Sequence, residues 1–95
     1  MTADAVAAGV RDIIHRLVGP ARVPAHAGLD TRLANGYWLD SVEMLEVVLE
    51  CERQFGITFE ASRDLTPDAL ATVDSLASVV RRRMGERRVH VSDTP

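Results

Sequence analysis

Aliphatic side chains recur every three or four residues in three separate segments of this chain, and that spacing permits little but a helical bundle. Val6, Val10, Ile13, Ile14, Leu17 and Val18 fall on one stripe of a helix over residues 3–18. Met44, Val47, Val48, Cys51 and Phe55 line one side of a second helix over 41–55. Val73, Leu76, Val79, Val80 and Met84 form the stripe of a last one. Of the 95 residues, 46% are hydrophobic but only 4% aromatic. That content suffices for one domain with a modest aliphatic core.

The helix ends are marked by local chemistry. Thr2 or Asp4 can cap the first helix, and Gly19-Pro20 ends it, because a residue before proline avoids the helical region. Asp40 with Glu43 three residues later reads as a capping box with Asp in place of Ser or Thr. Gly56 supplies the left-handed residue that closes the second helix. Residues 57–59 form a short extended connection. Thr66-Pro67-Asp68 sets a cap before a proline at the first helical position, predicting a short third helix through about Leu70. Thr72 can cap the last helix, with Arg81, Arg82 and Arg83 in its final turns to complement the helix dipole. Residues 19–39 make a loop of a length that is often functional in a small domain. Leu29, Leu33, Tyr37 and Trp38 are expected to pin it to the core. The expected fold is all-α: a four-helix bundle of three longer helices and a short third, with the long loop between helices one and two. The domain should span 1–85, leaving 86–95 as a flexible C-terminal tail.

Composition narrows the function classes. A formal net charge of −3 and a pI near 5.5 argue against nucleic-acid binding, which needs a basic footprint. Arg81–Arg83, Arg87 and Arg88 read as solvated surface. One cysteine, Cys51, allows no internal disulfide and suggests no metal cluster. Its place on the core stripe predicts a buried thiol of raised pKa. His15, His26 and His90 lie far apart without ligand spacing, so each is expected at the surface. The N-terminal MTADAVAAGVRD lacks the basic start and apolar run of a signal peptide. No stretch approaches the roughly 20 apolar residues of a membrane span. A cytoplasmic monomer without membrane contact is expected.

The second helix carries more apolar surface than a core stripe needs. Val42, Leu45 and Leu49 form a second row, offset from the first and starting beside Ser41. Glu43, Glu46 and Glu50 fill the adjacent arc. An apolar row rimmed by acids reads as a docking face. Because Asp40 can cap the helix alone, Ser41 becomes its first residue, with a hydroxyl at the positive end where a phosphate is favoured. The plainer readings are a tolerated small polar residue at a helix start and a central, mostly buried helix.

Leu39-Asp40-Ser41-Val42-Glu43, the mixed aliphatic and acidic helix, and Gln54-Phe55-Gly56-Ile57 together resemble the acyl and peptidyl carrier protein family. The similarity covers roughly residues 5–84 and extends to Ala71-Thr72-Val73 at the last helix. The resemblance implies that Ser41 accepts 4′-phosphopantetheine from coenzyme A, with Asp40 shaping the helix start beside it. It implies as partners a phosphopantetheinyl transferase, a loading ligase or acyltransferase, and a downstream synthase or transferase. Val42, Leu45 and Leu49 would offer apolar contact, and Glu43, Glu46 and Glu50 would steer basic patches on these enzymes. The protein itself would not be an enzyme. Asn35-Gly36-Tyr37-Trp38-Leu39-Asp40-Ser41 departs from the G-x-D-S form of fatty-acid carriers. It is more similar to free-standing carriers of amino or short acyl groups, such as D-alanyl carrier proteins. A discrete carrier in polyketide, nonribosomal peptide or related secondary metabolism is the expectation. The alternative is an unmodified helical interaction domain using the same apolar row. A hydrolase is disfavoured, since a nucleophilic serine would want a G-x-S-x-G elbow and a nearby histidine, and neither is present.

Overall fold

The computed structural model describes the backbone of residues 3–93 and the side chains of residues 5–86. The chain forms α1 (Ala3–Val18), a 3-10 turn (Pro20–Arg22), α2 (Ser41–Phe55), α3 (Ala61–Asp64) and α4 (Val73–Asp93). Among the described residues there is no strand, only an isolated bridge between Arg32 and Thr72. The all-α bundle with its long first loop is therefore as expected. Helix α1 packs on both α4 and α2, and α2 also touches α4.

The core is aliphatic, as the shortage of aromatics requires. Val10 and Ile14 of α1, Val47 and Cys51 of α2, and Val73, Leu76 and Val80 of α4 are wholly buried. Phe55 joins them at 5% exposure. A Cβ on Gly9 would lie 2.8 Å from Phe55 Cζ, so the missing side chain lets the ring close on α1.

Four expectations need correction. The short helix lies at residues 61–64, not 67–70. Thr66 does act as a cap, its hydroxyl accepting from the Ala69 amide at 3.2 Å, and the Leu70 amide closes one turn on the Thr66 carbonyl. The turn cannot propagate because its next groups are engaged elsewhere. The Ala69 carbonyl accepts from the Ser75 hydroxyl at 2.8 Å, the Ala71 carbonyl from the Leu33 amide, and the Val73 amide turns to the Thr31 carbonyl. Helix α4, in turn, continues to Asp93 through the stretch expected to be a tail. Arg81–Arg83 thus lie in mid-helix rather than at a negative end. The long loop, finally, is pinned by Leu33 and Tyr37, both wholly buried, whereas Leu29 is 38% and Trp38 70% exposed. The proposed caps at Thr2 and Asp4 fall outside the described side chains.

The loop also completes α4. Thr72 and Ser75 exchange bonds, each hydroxyl accepting from the other's amide at 3.0 Å. The Val73 and Asp74 amides donate to the carbonyls of Thr31 and Leu29. Helix-start amides that would otherwise lack partners are satisfied by the loop. The loop is thereby fixed against the helix.

Candidate functional site

The N-terminus of α2 is built as the sequence reading requires. Asp40 is extended, its carboxylate accepts from the Glu43 amide at 2.8 Å, and its own amide donates to Glu43 Oε1 at 3.1 Å. This is a complete capping box. Gly56 closes the helix in the left-handed conformation at φ 64. Ser41, the first helical residue, is exposed, and its hydroxyl makes no hydrogen bond among the described residues. The capping chemistry is supplied by its neighbour, so the serine oxygen stays available.

A clamp that the sequence reading missed braces this end. The Arg22 guanidinium reaches Glu43 at 2.5 and 3.0 Å. It also donates to the carbonyls of Trp38 at 2.8 Å and Tyr37 at 3.2 Å. One side chain on the 3-10 turn thus ties the loop's last residues to the start of α2. The Arg22 hydrogen bond, then the Asp40 amide, pull the Glu43 carboxyl down to about 2. Between the clamped carbonyls, Trp38 holds φ 58. A bulky residue in that region costs about 1–2 kcal/mol. Gly36 permits the turn before it, since a Cβ there would lie 2.6 Å from the Arg32 carbonyl oxygen.

Beyond Ser41 the two apolar rows of α2 separate. Val47, Val48, Cys51 and Phe55 are buried, with Met44 partly buried against the same core. Val42, Leu45 and Leu49 stand in solvent at 65%, 56% and 54% exposure. Leu39, Met44, Leu45, Val48, Leu65 and Leu70 line a cleft of about 360 Å³ that also takes in Asp40 and Ser41. A second groove, about 480 Å³, runs between α1 and α2 past Ile13, Leu17, Glu46 and Leu49. The helix is not simply central.

The acidic arc is less uniform than its spelling suggests. Glu43 is committed to the cap and to Arg22. Glu50 pairs with Arg53 at 2.5 Å, which lowers its pKa. Glu46 makes no ion pair among the described residues. Of the three acids, it is left with its charge unpaired.

Outside α2, Asp64 is wholly buried. Its carboxylate accepts from Arg82 at 2.6 Å, from Arg83 at 2.5 Å and from the Glu60 amide at 2.7 Å. Burial alone would raise this carboxyl; the Glu60 amide and the Arg83 and Arg82 guanidiniums outweigh it and hold the group below its ordinary value. Two of the three arginines expected to answer the helix dipole, Arg82 and Arg83, instead fasten α3 to α4. His15 also departs from expectation. It is half-buried and its Nε2 lies 2.8 Å from the hydroxyl of buried Tyr37. His26 is exposed as expected, while the His90, Arg87 and Arg88 side chains lie outside those described. Cys51 is buried, and that burial, with the nearby Glu50 and Glu52, pushes its thiol up to about 12.

Among the described residues no cluster could hold a metal ion, and no helix is long and apolar enough to cross a membrane. Comparison with known protein families, curated proteins and solved structures finds no match for this chain.

Proposed function

We propose that this chain is a discrete acyl or aminoacyl carrier protein that bears 4′-phosphopantetheine on Ser41. Its setting would be the cytoplasm, in polyketide, nonribosomal peptide or related secondary-metabolite biosynthesis. One observation carries the reading: an exposed serine hydroxyl, unbonded among the described residues, on a helix start that its neighbour Asp40 already caps. The residues present fit the group. A phosphate ester at the first helical position would lie where amides and dipole favour an anion, and a largely apolar cleft adjoins it. When bound, the group supplies a terminal thiol that holds cargo in thioester linkage.

The work of this chain's own residues is acceptance and display. Ser41 Oγ would form the bond to phosphorus as the phosphoanhydride bond of coenzyme A breaks and adenosine 3′,5′-bisphosphate leaves with the bonding electrons. The hydroxyl proton must leave to a base on the transferase, because Asp40 is held in the cap and Glu43 by Arg22. Val42, Leu45 and Leu49 offer apolar contact to that transferase, to a loading ligase or acyltransferase, and to a downstream synthase or transferase. Glu46, with its charge unpaired, is the acid best able to steer a basic partner surface.

Incubation with coenzyme A and a promiscuous transferase should add one phosphopantetheinyl mass to the wild type and none to Ser41→Ala, which should remain folded. A wild type that gains nothing would favour the second reading, an unmodified interaction domain. That reading draws on the same exposed row of Val42, Leu45 and Leu49.

A further inference from the structure

Trp38 is the most exposed of the large hydrophobic side chains among the described residues, and its backbone is the only non-glycine position there at positive φ. Each fact alone is unremarked in many proteins; together they conflict. A left-handed position favours glycine, and the conformation is strained for a bulky side chain. An indole 70% in solvent recovers little of that cost through burial, and its N–H donates to nothing among the described residues. Glycine would serve the turn better than tryptophan. The reason for this side chain therefore lies outside the chain's own folding.

Its position says what that reason is. Trp38 precedes Ser41 by three residues, so their Cα atoms are at most about 11 Å apart. An interface of standard size covers about 800 Å² per partner, a disc roughly 16 Å in radius. A footprint centred on the Ser41 hydroxyl is therefore wide enough to reach Trp38. Arg22, gripping the carbonyls of Trp38 and Tyr37 and the carboxylate of Glu43, fixes the Trp38 backbone relative to the start of α2. A large exposed aromatic on a braced backbone, inside such a footprint, has the character of a binding hot spot.

We infer that Trp38 is a recognition contact for the phosphopantetheinyl transferase that modifies Ser41, its indole displayed by a strained turn that Arg22 braces. The inference rests on the carrier reading. The enzyme must offer an apolar pocket beside its catalytic centre, and the contact adds binding rather than chemistry.

The test compares wild type, Trp38→Gly and Trp38→Phe as substrates for a promiscuous phosphopantetheinyl transferase with coenzyme A, alongside thermal melts. Trp38→Gly should melt no lower than wild type, because glycine relieves the strain. Its KM should rise roughly tenfold, the loss of one good contact, with kcat within about twofold. Trp38→Phe should recover part of the KM. Equal KM for wild type and Trp38→Gly overturns the assignment while leaving the carrier reading intact. A lower melting temperature for Trp38→Gly also overturns it, since the indole would then serve the fold. A wild type that gains no mass overturns both.

Discussion

The two apolar rows of α2 use similar residues for opposite ends. Val47, Val48, Cys51 and Phe55 lie at 5% exposure or less, while Val42, Leu45 and Leu49, on the same helix, exceed 50%. Hydrophobicity alone does not assign a side chain to the core; the angle at which it leaves the helix does. At 100° per residue the helix cannot turn both rows toward α1 and α4. The inner row holds the domain together. The outer row, beginning beside Ser41, is left with apolar surface that folding does not cover.

The largest effect that could break this contrast lies on the inner row. Phe55→Ala should destabilise the domain by about 3–5 kcal/mol through lost burial and an unfilled cavity. The ring fills the space that Gly9 leaves on α1. Denaturant unfolding measures it, and a loss of less than about 1 kcal/mol would mean the inner row is not the core.

A smaller effect should come from the clasp that holds the outer cleft in shape. Leu65 and Leu70 line that cleft, and α3 just before them is fastened to α4 through Asp64. Asp64→Asn should cost about 2–3 kcal/mol, since it weakens charged hydrogen bonds but leaves Arg82 half exposed and Arg83 paired with Glu60 and Glu86. The pH dependence follows from the sign of the shift. Asp64 and Glu43 both have folded pKa values below their ordinary ones. Their stabilisation is therefore complete above the ordinary carboxylate range and is lost as pH falls through the folded values. For Glu43 that window runs from 4.5 down to about 2. Stability measured against pH should fall through this range in the wild type and fall less in Asp64→Asn.

Local chemistry was legible in the sequence wherever neighbours in the chain decide the outcome. The Asp40–Glu43 box, the left-handed Gly56, the Thr72 cap and both rows of α2 follow from spacing within one turn or two. Contacts between distant residues were not. Nothing near Arg22 announces that it grips Glu43 and two loop carbonyls, because the grip exists only once the loop has folded back. The same holds for Asp64, whose partners Arg82 and Arg83 lie 18 and 19 residues away. Thr66-Pro67 carried a true cap signal, yet the carbonyls beyond it were drawn to Ser75 and Leu33. Trp38 is expected, with Leu29, Leu33 and Tyr37, to anchor the loop to the core. Its backbone conformation, invisible in composition, turns it outward instead.

The division of α2 into a folding face and a working face is tested most directly by pairing stability with modification in Leu45→Ala and Leu49→Ala. Each side chain is already more than half in water, so truncation should cost only about 1 kcal/mol in denaturant unfolding. If Ser41 accepts phosphopantetheine as proposed, the same variants should lose efficiency in that transfer, through a raised KM. Variants that unfold as readily as Phe55→Ala, yet are modified like the wild type once folded, would show that both rows belong to the core and that α2 has no working face.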